Sequence, residues 1–128
     1  MSMKSKLKVM VVDDMSVSRG LLMQSLEEIG IQNVEYEKSG QDAFVKICSS
    51  PVHLIISDYN MPGMSGLDLL ERLRANKATH QVGFILVTGT PTAEIVSRGR
   101  HSGLNNLIKK PFTSASLKST IEAVVGPL

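Results

Sequence analysis

Three carboxylates stand directly behind runs of β-forming apolar residues. Asp13 and Asp14 follow Leu7-Lys8-Val9-Met10-Val11-Val12, and Asp58 follows Leu54-Ile55-Ile56-Ser57. In an open parallel sheet, ligands gather beyond the carboxyl ends of the strands, so acids at two such ends converge although they lie far apart in the chain. Crowded carboxylates repel one another and attract a cation. An oxygen-only set suits Mg²⁺, which keeps several waters and takes one or two carboxylates together with phosphate oxygens. Phosphoryl chemistry is therefore the first expectation. Taken singly, Asp13-Asp14 reads equally well as a solvated turn and Asp58 as the opening of a loop.

The elements that must position these acids follow from periodicity. Strand-like and helix-like stretches alternate five times with short turn-rich joints, the pattern of repeated βα units. Lys6 to Val12 reads as a strand and Ser16 to Glu28 as a helix, with Leu21, Leu22, Ser25, Leu26 and Ile29 on one face, Ser16 as N-cap and Gly30 as the stop. Val34 to Lys38 alternates like an edge strand. Gln41 to Ser49 reads as a helix burying Ala43, Phe44, Ile47 and Cys48, closed by Pro51. Leu54 to Ser57 is the third strand, and the Gly- and Pro-containing loop Asn60-Met61-Pro62-Gly63-Met64-Ser65-Gly66 leads into a helix over Leu67 to Ala75. Phe84 to Thr88 and Asn106 to Lys109 complete the strands. Thr113 to Val124 is the last helix, with Leu117, Ile121 and Val124 inward and Thr113 or Ser114 as cap. The stretch Thr92 to Ser102 should be a helix but carries Gly99, Ile95 and Val96, and an interior Gly costs about 1 kcal/mol relative to Ala. It is expected to be the least stable helix.

Composition narrows the function. The 128 residues suit one domain, with residues 1–5 expected as a flexible tail. A net charge of +2 with interspersed signs, and only 4% aromatic residues, disfavours nucleic-acid binding. The single cysteine, Cys48, is expected as a small buried hydrophobe in a reducing compartment. No apolar run approaches the ~20 residues that cross a bilayer, and Met1 to Lys8 lacks the apolar core of a signal peptide, so a soluble, cytoplasmic protein without a membrane partner is expected. His53, His80 and His101 lack metal-ligand spacing and read as surface or partly packed side chains.

The motifs taken together resemble a bacterial two-component response-regulator receiver domain of the stand-alone chemotaxis (CheY) type. Asp13-Asp14 after the first strand, Asp58 with Tyr59-Asn60-Met61-Pro62-Gly63-Met64-Ser65-Gly66 behind it, Thr88 ending the fourth strand and Lys110-Pro111-Phe112 after the fifth all stand in the family's order and spacing, and the likeness covers nearly the whole chain. The resemblance implies an α/β fold: a doubly wound, flavodoxin-like five-stranded parallel sheet in the order 2-1-3-4-5 with helices on both faces. It implies that Asp58 is the phospho-acceptor, with a nucleophilic carboxylate. Asp14, Asp58 and the backbone carbonyl of Asn60 are then direct Mg²⁺ ligands, and Asp13 acts through a metal-bound water. Lys110 and Thr88 serve the phosphoryl oxygens, Gly89 leaves space beside Thr88, and a cis bond precedes Pro111.

The implied partner is a histidine kinase as phosphoryl donor, with a flagellar motor switch protein or another output target, and a phosphatase, as further partners. The domain is expected to signal by phosphorylation-dependent binding, catalysing only its own phosphorylation and dephosphorylation, with Asn60 and Thr90 tuning the access of hydrolytic water. One position departs from the pattern: Leu107 stands where the family carries an aromatic switch residue. That departure keeps open an alternative reading as a phosphate sink that accepts and hydrolyses phosphoryl groups without docking. The face carrying Arg98, Arg100, His101, Lys109 and Lys118 against Glu94 and Glu122 is expected to be mildly basic.

Overall fold

The computed structural model describes residues 3–128. Its elements run α1 (Met3–Lys6), β1 (Lys8–Val12), α2 (Ser16–Ile29), β2 (Asn33–Glu37), α3 (Gly40–Ser49), β3 (Leu54–Asp58), α4 (Gly66–Ala75), β4 (Gly83–Thr88), α5 (Ala93–His101), β5 (Asn106–Lys109) and α6 (Ser114–Val125). All four strand pairings are parallel and the order is β2-β1-β3-β4-β5, as the resemblance implied. Residues 3–6 form a single helical turn rather than the expected tail, closed by Leu7 N–H on Met3 O at 2.9 Å. Residues 1 and 2 of that expectation lie outside the described residues.

Strand residues alternate between two cores, and because both faces are covered the strands read as near-continuous apolar runs. Val9, Val11, Ile56, Ile85 and Val87 pack under α2 and α6 with Leu22, Leu26, Leu117 and Ile121. Met10, Val12, Ile55, Phe84 and Leu86 pack under α3 and α4 with Ala43, Ile47, Leu69, Leu70 and Leu73. Each such large side chain taken out of water contributes about 1.5–3 kcal/mol. The edge strand β2 has no fully buried residue, which accounts for its weaker pattern.

Several local expectations are corrected. Leu21 is 56% exposed, because α2 meets the sheet only along the stripe of Leu22, Leu26 and Ile29. Ser16 is not the N-cap. That position is Met15, whose backbone N–H is taken by Asp13 Oδ1 at 2.9 Å. Cys48 is exposed, one step round α3 from buried Ile47, and Phe44 is only half-buried, with the Arg72 guanidinium 4.5 Å from its ring centroid. Val124 is also only half-buried.

Helix α5 buries no side chain of its own beyond the backbone of Gly99, against which Leu104 packs. A Cβ at that glycine would lie 2.8 Å from Leu104 Cδ2. Ile95 packs half-buried against the α3/α4-side core, and the other ties are polar. Arg98 reaches α4, with Nη2 2.7 Å from Asp68 Oδ1 and 2.8 Å from Glu71 Oε1, and with Nε 3.0 Å from Glu71 Oε2. Ser102 adds a hydrogen bond to Glu71. Arg98 is therefore neutralised within the domain and does not add to a basic face as expected.

Candidate functional site

Register carries the acids together. Val12 pairs with Ser57 across β1 and β3, so Asp13 lies one step beyond that pair, level with Asp58, which itself pairs with Val87 of β4. Carboxylate oxygens of Asp13, Asp14 and Asp58 all lie within 4.8 Å of one another. At an effective dielectric constant of about 20, each such pair of anions repels by about 3–4 kcal/mol. Asp13 is 0% and Asp58 5% exposed, so water screens little of it.

Lys110 supplies one counter-charge, its Nζ 2.8 Å from Asp58 Oδ1. Burial pushes the Asp58 carboxyl above the usual aspartate range; the hydrogen bond and charge of Lys110 pull it back down, and Asp13 and Asp14 push it up again. One ammonium among three carboxylates leaves an anionic excess. Among the described residues, Asp14 Oδ1 is the buried side-chain oxygen without a hydrogen-bond partner. An orphaned oxygen beside two further carboxylates fits a hard divalent cation, for which an all-oxygen set is the natural cage.

Each supporting element has a local cause. The loop behind Asp58 is pinned by Tyr59 N–H on Val87 O and by Gly66 N–H on Tyr59 O, both at 2.9 Å. Gly66 is required there because a Cβ would lie 2.5 Å from Asp58 O and 2.7 Å from Leu86 Cδ1. Helix α4 then starts with a reciprocal capping box between Ser65 and Asp68. On the other wall, Thr88 ends β4 and its Oγ1 accepts from Thr90 N–H at 3.2 Å, which leaves the hydroxyl proton for an oxygen in the cleft. Lys110 N–H bonds Thr88 O at 2.9 Å, and the peptide bond to Pro111 is cis, as the resemblance implied.

A cleft of about 600 Å³ opens above these groups. Asp14, Asp58, Asn60, Thr88, Gly89, Thr90 and Lys110, all singled out from the sequence, line it, and Asp13 lies beneath. Leu107 is not among them. It is half-buried on the α3/α4 side of the sheet, opposite Leu86 in the β4/β5 register. Met15, Tyr59, Thr92 and Ile95 also line the cleft and were not foreseen.

Two further contributors come from the first turns of α2. Ser18 Oγ donates to Asp13 Oδ2 and accepts from Lys110 Nζ at 3.0 Å. Arg19 Nη1 bonds Asp13 O at 2.9 Å while its guanidinium lies 4.8 Å from the Tyr36 ring centroid. The signal for both was present: a helix that starts three residues after a strand-end acid points its first-turn side chains back at that acid.

A family model for the response regulator receiver domain matches residues 9–122. The chain is 38% identical over 128 residues to a probable chemotaxis protein CheY of Rhizobium etli, covering 100% of this chain and 99% of the relative. It is 29% identical to chemotaxis protein CheY-3 of Vibrio cholerae over 122 residues, 95% of this chain and 94% of that one. Among solved structures, chemotaxis protein CheY4 of Vibrio cholerae superimposes with a TM-score of 0.85 at 28% identity, over 92% of this chain and 98% of that chain. A family match over that span, joined to a homologue related along its whole length, makes the chain a member of the response regulator receiver domain family.

Proposed function

We propose that Asp58 is the phospho-acceptor of a CheY-like response regulator receiver domain. The observation that carries this reading is the buried Asp58 carboxylate at the cleft floor, 2.8 Å from Lys110 Nζ, with the oxygens of Asp13 and Asp14 within 4.8 Å. One Asp58 oxygen attacks the phosphorus of a phosphohistidine on a histidine kinase. The new O–P bond forms as the N–P bond breaks, and the departing imidazole nitrogen keeps the electron pair and takes up a proton. Lys110 passes from Asp58 to a phosphoryl oxygen, and Thr88 donates its hydroxyl proton to another. Asp13, Asp14, Asp58 and the backbone carbonyl of Asn60 would hold Mg²⁺, which when bound neutralises charge on the transferring group. Hydrolysis ends the signal, with Asn60 and Thr90 at the rim where water or a phosphatase enters.

The output is phosphorylation-dependent binding to a target protein, a flagellar switch component by the family resemblance, and the relatives' names place them in chemotaxis. Leu107 favours a second reading, the phosphate sink, because a half-buried aliphatic side chain offers no ring or hydroxyl to a partner.

Incubation with acetyl phosphate and Mg²⁺ followed by intact mass tests the acceptor. One phosphoryl adduct on the wild type and none on Asp58→Asn is expected, and an adduct on both would remove Asp58 from its role. Pull-down of the switch component by labelled and unlabelled protein separates messenger from sink.

A further inference from the structure

We propose that Ser18 is a positioning residue that fixes the Lys110 ammonium for phosphoryl capture, an inference that rests on Asp58 being the acceptor. A serine caps a helix from the position just before it. Ser18 is the third residue of α2, behind Met15 at the N-cap, so its hydroxyl has no capping duty and turns back to the acids.

Chemistry allows that hydroxyl one orientation. A carboxylate only accepts and an ammonium only donates, whereas a hydroxyl carries one proton and two lone pairs. With Asp13 Oδ2 taking the proton, a lone pair faces Lys110 Nζ at 3.0 Å. Asp13 cannot drift, because its other oxygen accepts from Met15 N–H at 2.9 Å and its carbonyl from Arg19 Nη1 at 2.9 Å. The ammonium thus stands between a partner that must be given up and one that need not be. Its 2.8 Å contact with Asp58 yields when that carboxylate bonds phosphorus, while the contact with Ser18 persists. Ser18 is the pivot about which Lys110, 31% exposed on a flexible stem, swings to a phosphoryl oxygen.

Nuclear magnetic resonance of the metal-free, unlabelled protein reads the pivot directly. The wild type should give a slowly exchanging Lys110 ammonium signal, assigned by its absence in Lys110→Gln. Ser18→Ala should lose that signal and Ser18→Thr, which keeps the hydroxyl, should restore it. Ser18→Cys, matched in size but a weak donor, should behave as the alanine variant, so a misfolded Ser18→Ala does not decide the matter. In acetyl phosphate labelling with Mg²⁺, Ser18→Ala should show a limiting rate lower by about tenfold, the effect of one lost hydrogen bond to a charged group. Its half-saturating donor concentration should not change, and Ser18→Thr should stay within about threefold of wild type.

A Ser18→Ala protein that keeps both the ammonium signal and the rate overturns the proposal, as does a threonine variant as impaired as the alanine one. A wild type that takes no label sinks the phosphoacceptor reading instead, and the ammonium signal still decides whether Ser18 holds Lys110.

Discussion

Replacing Gly66 by alanine adds one methyl group at the tightest glycine among the described residues. The new Cβ would stand 2.5 Å from Asp58 O, a backbone atom of the central strand, and 2.7 Å from Leu86 Cδ1 in the core. Neither neighbour is the loose end of a surface chain, so the backbone of the loop behind Asp58 has to move. Overpacking of this kind costs about 1–3 kcal/mol, and contact with a main-chain oxygen places Gly66→Ala near 3 kcal/mol. With a urea m-value of about 1.5 kcal/mol per M, the unfolding midpoint falls by about 2 M. Gly20 is the internal control. It sits exposed in α2 with nothing within 4 Å of an added methyl group, so Gly20→Ala gains helix propensity and stabilises by about 0.5–1 kcal/mol. The same chemical change thus moves the two midpoints in opposite directions, read by circular dichroism in urea. Displacement of the Asp58 carbonyl should also slow acetyl phosphate labelling of Gly66→Ala while leaving Gly20→Ala at the wild-type rate. Coincident midpoints for Gly66→Ala and wild type would refute the packing argument.

Asp58→Asn removes a carboxyl whose folded pKa is raised by burial, and such a group favours the fold below the unfolded aspartate value and loses that contribution as pH rises through the folded one. In metal-free buffer the stability of Asp58→Asn relative to wild type should therefore increase across that interval, and a difference independent of pH would contradict it. Arg98→Ala breaks the fork between α5 and α4; the backbone hydrogen bond from Ser65 and Arg98 hold the Asp68 carboxyl below its usual range, and Arg98 does the same for Glu71. The contribution of that fork is present above the ordinary carboxylate range and lost as pH falls below it. At these half-exposed positions it amounts to about 0.5–1 kcal/mol at neutral pH, and thermal melts of wild type and variant should converge in strong acid. Hydrogen exchange should find the amides of Ala93–His101 the fastest of the longer helices, because α5 buries so little; uniformly slow exchange there would refute this. Cys48 should react with a thiol reagent as fast in the native protein as in urea, and a protected thiol would contradict its exposure.

The parts of this structure that were legible in the sequence are those whose cause is local. Apolar runs ending in Asp13-Asp14 and in Asp58 mark strands and their carboxyl ends without reference to anything else, and the glycine at 30 stops its helix wherever that helix packs. Helix faces were less legible. Leu21 and Cys48 each lie one residue from a buried position, and periodicity cannot say how narrow a stripe the sheet will cover. Partners across the fold were not legible. Arg98 meets acids 27 and 30 residues away, and Ser18 meets a lysine 92 residues away, so only the closed topology discloses them. Sequence spacing assigned Arg98 to a basic surface for the same reason.

All five residues of β3 are buried, and the strand is bonded to β1 on one side and β4 on the other. Nothing can peel it away alone: its hydrogen bonds open only when the sheet itself comes apart. Warming that frays the rim around Thr90 consequently leaves Asp58 in register. On heating, the ability to take up phosphorus should vanish together with the last folded molecules rather than ahead of them.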